Sequence, residues 1–408
     1  MERKVSTQDL KLGMYIAQLD RPWLDTPFLF QGFHIKEQKD IKDLQQYCQF
    51  VFIDEDKGEK ADRYLDNEPA AAPAHAASAS NFLPPRKIQY RLVSDLECEM
   101  QAAKQNQERL DEQVSDIMET VRNGGKINIE QVKDTLDDMI ESIVRNPDAY
   151  MWLRRMKNTD DYLYNHAIDV SVLAVAFGRH LGLEKSELNE LAVGTLLFDV
   201  GKTRIPSEIL CKPEKLTDKE FQLVRRHVEI SAEIMMQTEG ISDVARTIAL
   251  THHERHNGNG YPQRLRGTQI PVFGRIAAIV DCYDAIISNR PYCRAISAHE
   301  AIVKLYEWRN IDFQEDLVEQ FIQCLGVYPT GTIVEMTTGE VGIVLAQNPV
   351  RRLRPKVMLV LDENKKPYSS HQVVDLLMET SSELGSSMAI KQALEKGAYG
   401  IDPRQFFL

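Results

Sequence analysis

The chain has 408 residues, 43% of them hydrophobic and 27% charged, which is the composition of an ordinary globular protein long enough for two or three domains. Its net charge is −12 and no basic block is visible, which argues against a DNA or RNA partner, because such affinity comes mostly from Lys and Arg on phosphates. The six cysteines are scattered without a CxxC pair, no apolar run follows the N-terminal charges, and no stretch approaches the ~20 apolar residues that span a bilayer; a cytoplasmic protein with reduced thiols is expected.

Residues 1–56 read as a small α+β module. Leu10, Met14, Ile16 and Leu19 lead into the aromatic stretch Phe28 to Phe30; an amphipathic segment with Ile41 and Leu44 then precedes the strand-like Val51 to Ile53. Residues 57–86 are rich in Ala, Pro and Ser and read as a flexible linker, since they carry too little apolar surface to offset ordering. From Ile88 to Val121 the composition turns helical, with Leu92, Leu96, Met100, Leu110, Val114, Met118 and Val121 at helical spacing. No clean heptad persists, so a bundle helix fits better than a dimerising coiled coil. Asn123, Gly124 and Gly125 end it, and a second helix runs from Ile129 to Arg145. Helical signals continue to about Leu325, so residues 87–328 form one helical region. In residues 329–408 the pattern changes to strands, at Ile333 and Val334, Val341 to Leu345, and Val357 to Leu361. This tail reads as a β-rich appendage without chemistry of its own.

Six of the ten histidines lie between positions 166 and 256. His166 shares a helix face with Val170, Leu173, Ala174 and Phe177 and so points inward; alone, a hydrogen-bonded core histidine explains it. The apolar helix beginning at Ala192 ends on Asp199, a carboxylate that must be solvated, paired or metal-bound. His227 opens another apolar stretch. His252 and His253 stand about 100° apart on a helix, so both reach one cluster only if it sits at the helix end. The stretch from Val280 to Ala285, with Asp281, places a second carboxylate after a further apolar helix. Together these are four imidazoles and at least two inward carboxylates from five helices, a donor set suited to iron or manganese.

The order and wording of these pieces resemble the HD-GYP family of bacterial cyclic di-GMP phosphodiesterases. The matches run from Phe198 to Pro206, Ile209 to Pro213, Leu216 to Glu220, His252 to Pro262, Ile270 to Pro271 and Asp281 to Tyr292, within a core of residues 158–301. The N-terminal module, with Gly13 to Tyr15, Pro22, Trp23 and Phe30 to Gly32, resembles a domain of unknown role found ahead of HD-GYP domains.

The resemblance implies an all-helical HD-type hydrolase pocket with two Fe or Mn ions. His166, the HD histidine, Asp199 and Asp281 would hold one ion; Asp199, as a bridge, with His227, His252 and His253 would hold the other. The HD histidine is Phe198 here, which weakens the first position, and Tyr162 replaces a glutamate used by three-metal members, so no third ion is expected. The family implies catalytic roles for Asp199 and Lys202, with Lys202, Arg290, Arg294 and Tyr261 as substrate contacts; a further basic family position is Cys293 here. It also implies cyclic di-GMP hydrolysis to pGpG or GMP, or, as the alternative, a non-hydrolytic receptor or a module that contacts GGDEF-domain proteins. A homodimer is compatible with this organisation.

Overall fold

The computed structural model describes residues 2–20, 33–35, 37–54, 88–156, 162–288, 295–348, 351, 353–378 and 388–406. The chain divides into two compact units, residues 1–79 and 80–408. The linker expected over residues 57–86 lies outside the described residues, as do Pro22, Trp23, Phe28 to Gly32 and residues 289–294, with Arg290, Cys293 and Arg294.

The first unit holds β1 (Glu2–Ser6), β2 (Tyr15–Leu19), β3 (Phe33–His34), α1 (Gln38–Tyr47) and β4 (Phe50–Asp54). The strands form an antiparallel sheet in the order β1-β4-β2-β3. Val51 and Ile53 alternate inward from β4 and meet Ile16, Leu19, Ile41 and Leu44 in one apolar cluster.

The second unit begins with α2 (Leu96–Arg122), α3 (Glu130–Arg145) and α4 (Pro147–Met156). The helical spacing read from Ile88 onward fails at its start: the helix begins at Leu96, and Leu92 is 48% exposed. Asp95 sets this boundary, since its carboxylate accepts a 2.8 Å hydrogen bond from Cys98 N–H and caps the first turn. Met100, Leu110, Val114, Met118 and Val121 are buried as α2 packs on α3 and α4, the arrangement of a bundle helix.

The centre comprises α5 (Tyr162–Leu181), α6 (Lys185–Leu197), α7 (Ser207–Leu210), α8 (Asp218–Arg225), α9 (His227–Met236), α10 (Asp243–Thr251) and α11 (Val272–Ile287), followed by α12 (Ala298–Glu307) and α13 (Glu315–Leu325). Local signals start these helices: Thr217 with Glu220 and Ser297 with Glu300 form capping boxes, and Ser242 accepts from Ala245 N–H. α6 packs against both α5 and α10. The second contact is tight at Gly194, where a Cβ would fall 3.2 Å from the Ala245 Cα, so a larger residue would press α10 away from α6.

After α13 come β5 (Ile333–Met336), β6 (Val341–Ala346), β7 (Lys356–Leu361), β8 (Pro367–Asp375) and β9 (Ile390–Ala393), an antiparallel sheet ordered β8-β7-β6-β5-β9. The three apolar runs read from sequence are its central strands. The edge strands β8 and β9 went unread because their exposed residues leave no apolar run.

Candidate metal centre

Five helices converge on one buried pocket. His166 lies on α5, and Asp199 follows the end of α6. His227 is the first residue of α9, His252 and His253 follow the end of α10, and Asp281 lies on α11. α10 stops at Thr251 and His252 is its C-cap, so the two adjacent rings stand at a helix end. His166, Asp199, His227, His252 and Asp281 are at most 5% exposed.

The donors fall into two groups that share Asp199. One ligand atom from each of Asp199, His227, His252 and His253 lies within 4.8 Å of the others, as does one from each of His166, Asp199 and Asp281. Backbone contacts fix two of the rings. His227 Nδ1 donates to Val224 O at 2.6 Å and His252 Nδ1 to Ala249 O at 2.7 Å, so the neutral form of each ring turns its Nε2 lone pair to the pocket. These atoms sit 3.1 and 3.7 Å from Asp199 Oδ1. All three atoms are buried without a hydrogen-bond partner. Lone pairs converging in a desolvated site repel one another, and a cation removes that cost; the donor set therefore fits a divalent metal.

The second group is poorer. His166 Nε2 lies 3.1 Å from Asp281 Oδ1 and 3.5 Å from Asp199 Oδ2. Its Nδ1 bonds Asp284 Oδ2 at 2.7 Å. Burial alone would lower the His166 pKa, but these three carboxylates hold it well above the ordinary value. The Phe198 ring, fully buried, packs edge-on against His252 at 4.5 Å and 5.8 Å from His166. An apolar ring therefore fills the space between the histidines of the two groups, and it offers no lone pair.

Burial would raise the Asp199 pKa, yet the Lys202 ammonium and the His166 imidazole beside it hold it well below the usual carboxylate range. Lys202 sits against Asp199 Oδ2, the oxygen on the His166 side. Tyr261 stacks on His253 with centroids 4.7 Å apart, and Arg225 lies over the other partner of this stack, 4.0 Å from the Tyr261 centroid. Sequence reasoning assigned no role to Asp284 or Arg225. Asp284 could have been found from its place one helical turn after Asp281 in an apolar helix; Arg225 carries no such signal.

Buried His and Asp donors without thiolates, on a helical scaffold, define a metal-dependent hydrolase of the HD type. Residues 142–313 match the HD domain, residues 2–132 a domain of unknown function, and residues 333–394 a KOW domain associated with HD domains. The chain is 35% identical over 378 residues, 92% of its length, to a cyclic di-GMP phosphodiesterase of Pseudomonas aeruginosa, of which it covers 89%. It is also 42% identical over 132 residues to a cyclic di-GMP phosphodiesterase of Vibrio cholerae, covering 31% of this chain and 27% of that one. A 3'3'-cGAMP-specific phosphodiesterase of the same organism is 36% identical over 159 residues, covering 39% of this chain and 30% of that one. The chain belongs to the HD-GYP family of cyclic di-GMP phosphodiesterases. Among the described residues no helix is long and apolar enough to cross a membrane.

Proposed function

We propose that this protein is a metal-dependent phosphodiesterase that opens cyclic di-GMP to pGpG or GMP, with one metal position intact and one weakened. The observation that carries this reading is the convergence of unpaired Asp199 Oδ1, His227 Nε2 and His252 Nε2 beside Lys202. His227, His252, His253 and Asp199 would hold one Fe or Mn ion, and His166, Asp281 and Asp199 a second. Ions bound there supply an activated water and neutralise the phosphodiester. Lys202 offers a compact ammonium to a phosphate oxygen. The Nδ1 bonds of His227 and His252 keep their lone pairs aimed inward, and the apolar helix ends exclude bulk water.

A second reading, a receptor that binds the nucleotide or a GGDEF-domain partner without cleaving it, draws support from Phe198. The buried ring removes one imidazole from the His166 side, and a displacement of about 1 Å at such a centre costs roughly 100-fold in rate. Arg290 and Arg294, outside the described residues, are further candidates for substrate contact.

The test is purification with iron(II) or manganese(II), metal counting, and turnover of cyclic di-GMP. Two ions per chain and pGpG formation support the enzyme. Turnover no faster than that of Asp199→Ala sinks it, and calorimetric binding of cyclic di-GMP without turnover then establishes the receptor.

A further inference from the structure

We infer that Arg225 is a specificity-determining residue that contacts the second phosphate of a cyclic dinucleotide, the phosphate not being cleaved. This rests on the phosphodiester-binding reading above. Arg225 ends α8, two residues before His227. Its guanidinium carbon lies 4.0 Å from the Tyr261 ring centroid and 5.7 Å from that of Phe221. Tyr261 in turn packs on His253, with rings inclined by 30°. A ladder of stacked groups thus climbs from a metal-ligand candidate, through Tyr261 and Arg225, to Phe221, which is 47% exposed.

The chemistry of the ladder selects its occupant. Arg225 is half-buried, and no ion pair to a carboxylate is formed by it among the described residues. A guanidinium stacked on an aromatic ring has its face occupied and its N–H edge free, the edge that grips a phosphate with two parallel hydrogen bonds. Carboxylates do crowd the pocket, at Asp199, Asp281 and Asp284, but they are engaged by His166, His227 and Lys202 rather than by Arg225. A cyclic dinucleotide carries two phosphodiesters in one closed ring. With one phosphate at Lys202 and the histidines, the other is held a short, fixed distance away, where a cation one stacking layer outward can meet it. A simple diester has no group there, so Arg225 discriminates between the two.

The test compares wild type, Arg225→Lys and Arg225→Met, each metal-loaded, on cyclic di-GMP and on bis(p-nitrophenyl) phosphate, with metal content counted. Arg225→Met should raise the KM for cyclic di-GMP, or the Kd if the nucleotide is bound without turnover, by about 10- to 100-fold. Arg225→Lys should recover part of this, and metal content and activity on the simple diester should stay unchanged. An unchanged KM or Kd overturns the inference. So does a matching loss of metal content or of simple-diester activity, which would mean that Arg225 acts through Tyr261 and His253. Wild type that neither binds nor cleaves cyclic di-GMP removes the functional reading itself, a result distinct from an active wild type with an indifferent variant.

Discussion

Asp284 accepts a 2.7 Å hydrogen bond from His166 Nδ1 through one oxygen, while its other oxygen is buried without a partner. The bond leaves His166 Nε2 as the atom that faces Asp199 and Asp281, so Asp284 orients the ring toward the other candidate ligands. Asp284→Leu should weaken metal binding by about 10- to 100-fold, whereas Asp284→Asn keeps an acceptor oxygen and should lose less. Metal titration of both variants checks this, and equal affinity in Asp284→Leu and wild type would exclude the role.

Phe198 fills its position as core, not as ligand. Phe198→Ala should cost about 3–5 kcal/mol, as for other large aromatic truncations. Phe198→His places a polar ring in the same buried space, so the metal-free variant should melt below wild type and recover when metal is added. Differential scanning calorimetry with and without manganese(II) reads both effects. Identical melting of the variant in the two conditions would show that the new imidazole reaches no ion.

Gly201 lies where the segment after Asp199 crosses the start of α9. A Cβ there would sit 2.4 Å from His227 O and 2.7 Å from Ser231 N, both backbone atoms that cannot rotate away. Gly201→Ala should therefore destabilise by about 1–3 kcal/mol or more and shift His227 relative to Asp199. Chemical denaturation and metal affinity should both fall; a loss of neither would mean that the backbone yields more easily than this packing implies.

Asp148 gives a pH dependence away from the metal pocket. Burial pushes its pKa up to about 7, against partial compensation by the Gln347 N–H. The folded state then holds the proton more tightly than the unfolded chain, so the contribution is full below the ordinary carboxylate pKa and is lost as pH rises through about 7. Relative to wild type, Asp148→Asn should gain about 2–3 kcal/mol between pH 5 and pH 7. Parallel denaturation curves at the two pH values check it, and a constant difference would refute the shift.

Much of this was legible before any coordinates. The inward histidines, Asp199 at the end of its apolar helix and the central strands follow from periodicity, because burial leaves a repeating mark on sequence; Asp281, expected after a helix, instead lies within α11, whose apolar run continues to Ile287. The start of α2 at Leu96 was misread, since Leu92 extends the helical spacing while Asp95 fixes the boundary by a side-chain hydrogen bond that spacing does not encode. The strands β8 and β9 were invisible because edge strands need no apolar alternation. The stack of Arg225 on Tyr261 joins residues 36 positions apart, and one sequence alone carries no trace of such a pairing.

Asp199 lends one oxygen to each half of the pocket, and the oxygen facing His166 is already held by the Lys202 ammonium. Lys202 therefore already screens part of the charge of that oxygen, and an ion entering beside His166 would have to share the oxygen with the ammonium. The half-site that Phe198 leaves with fewer imidazoles is thus also the one whose shared carboxylate is partly neutralised in advance, so two separate features lower its pull on a cation.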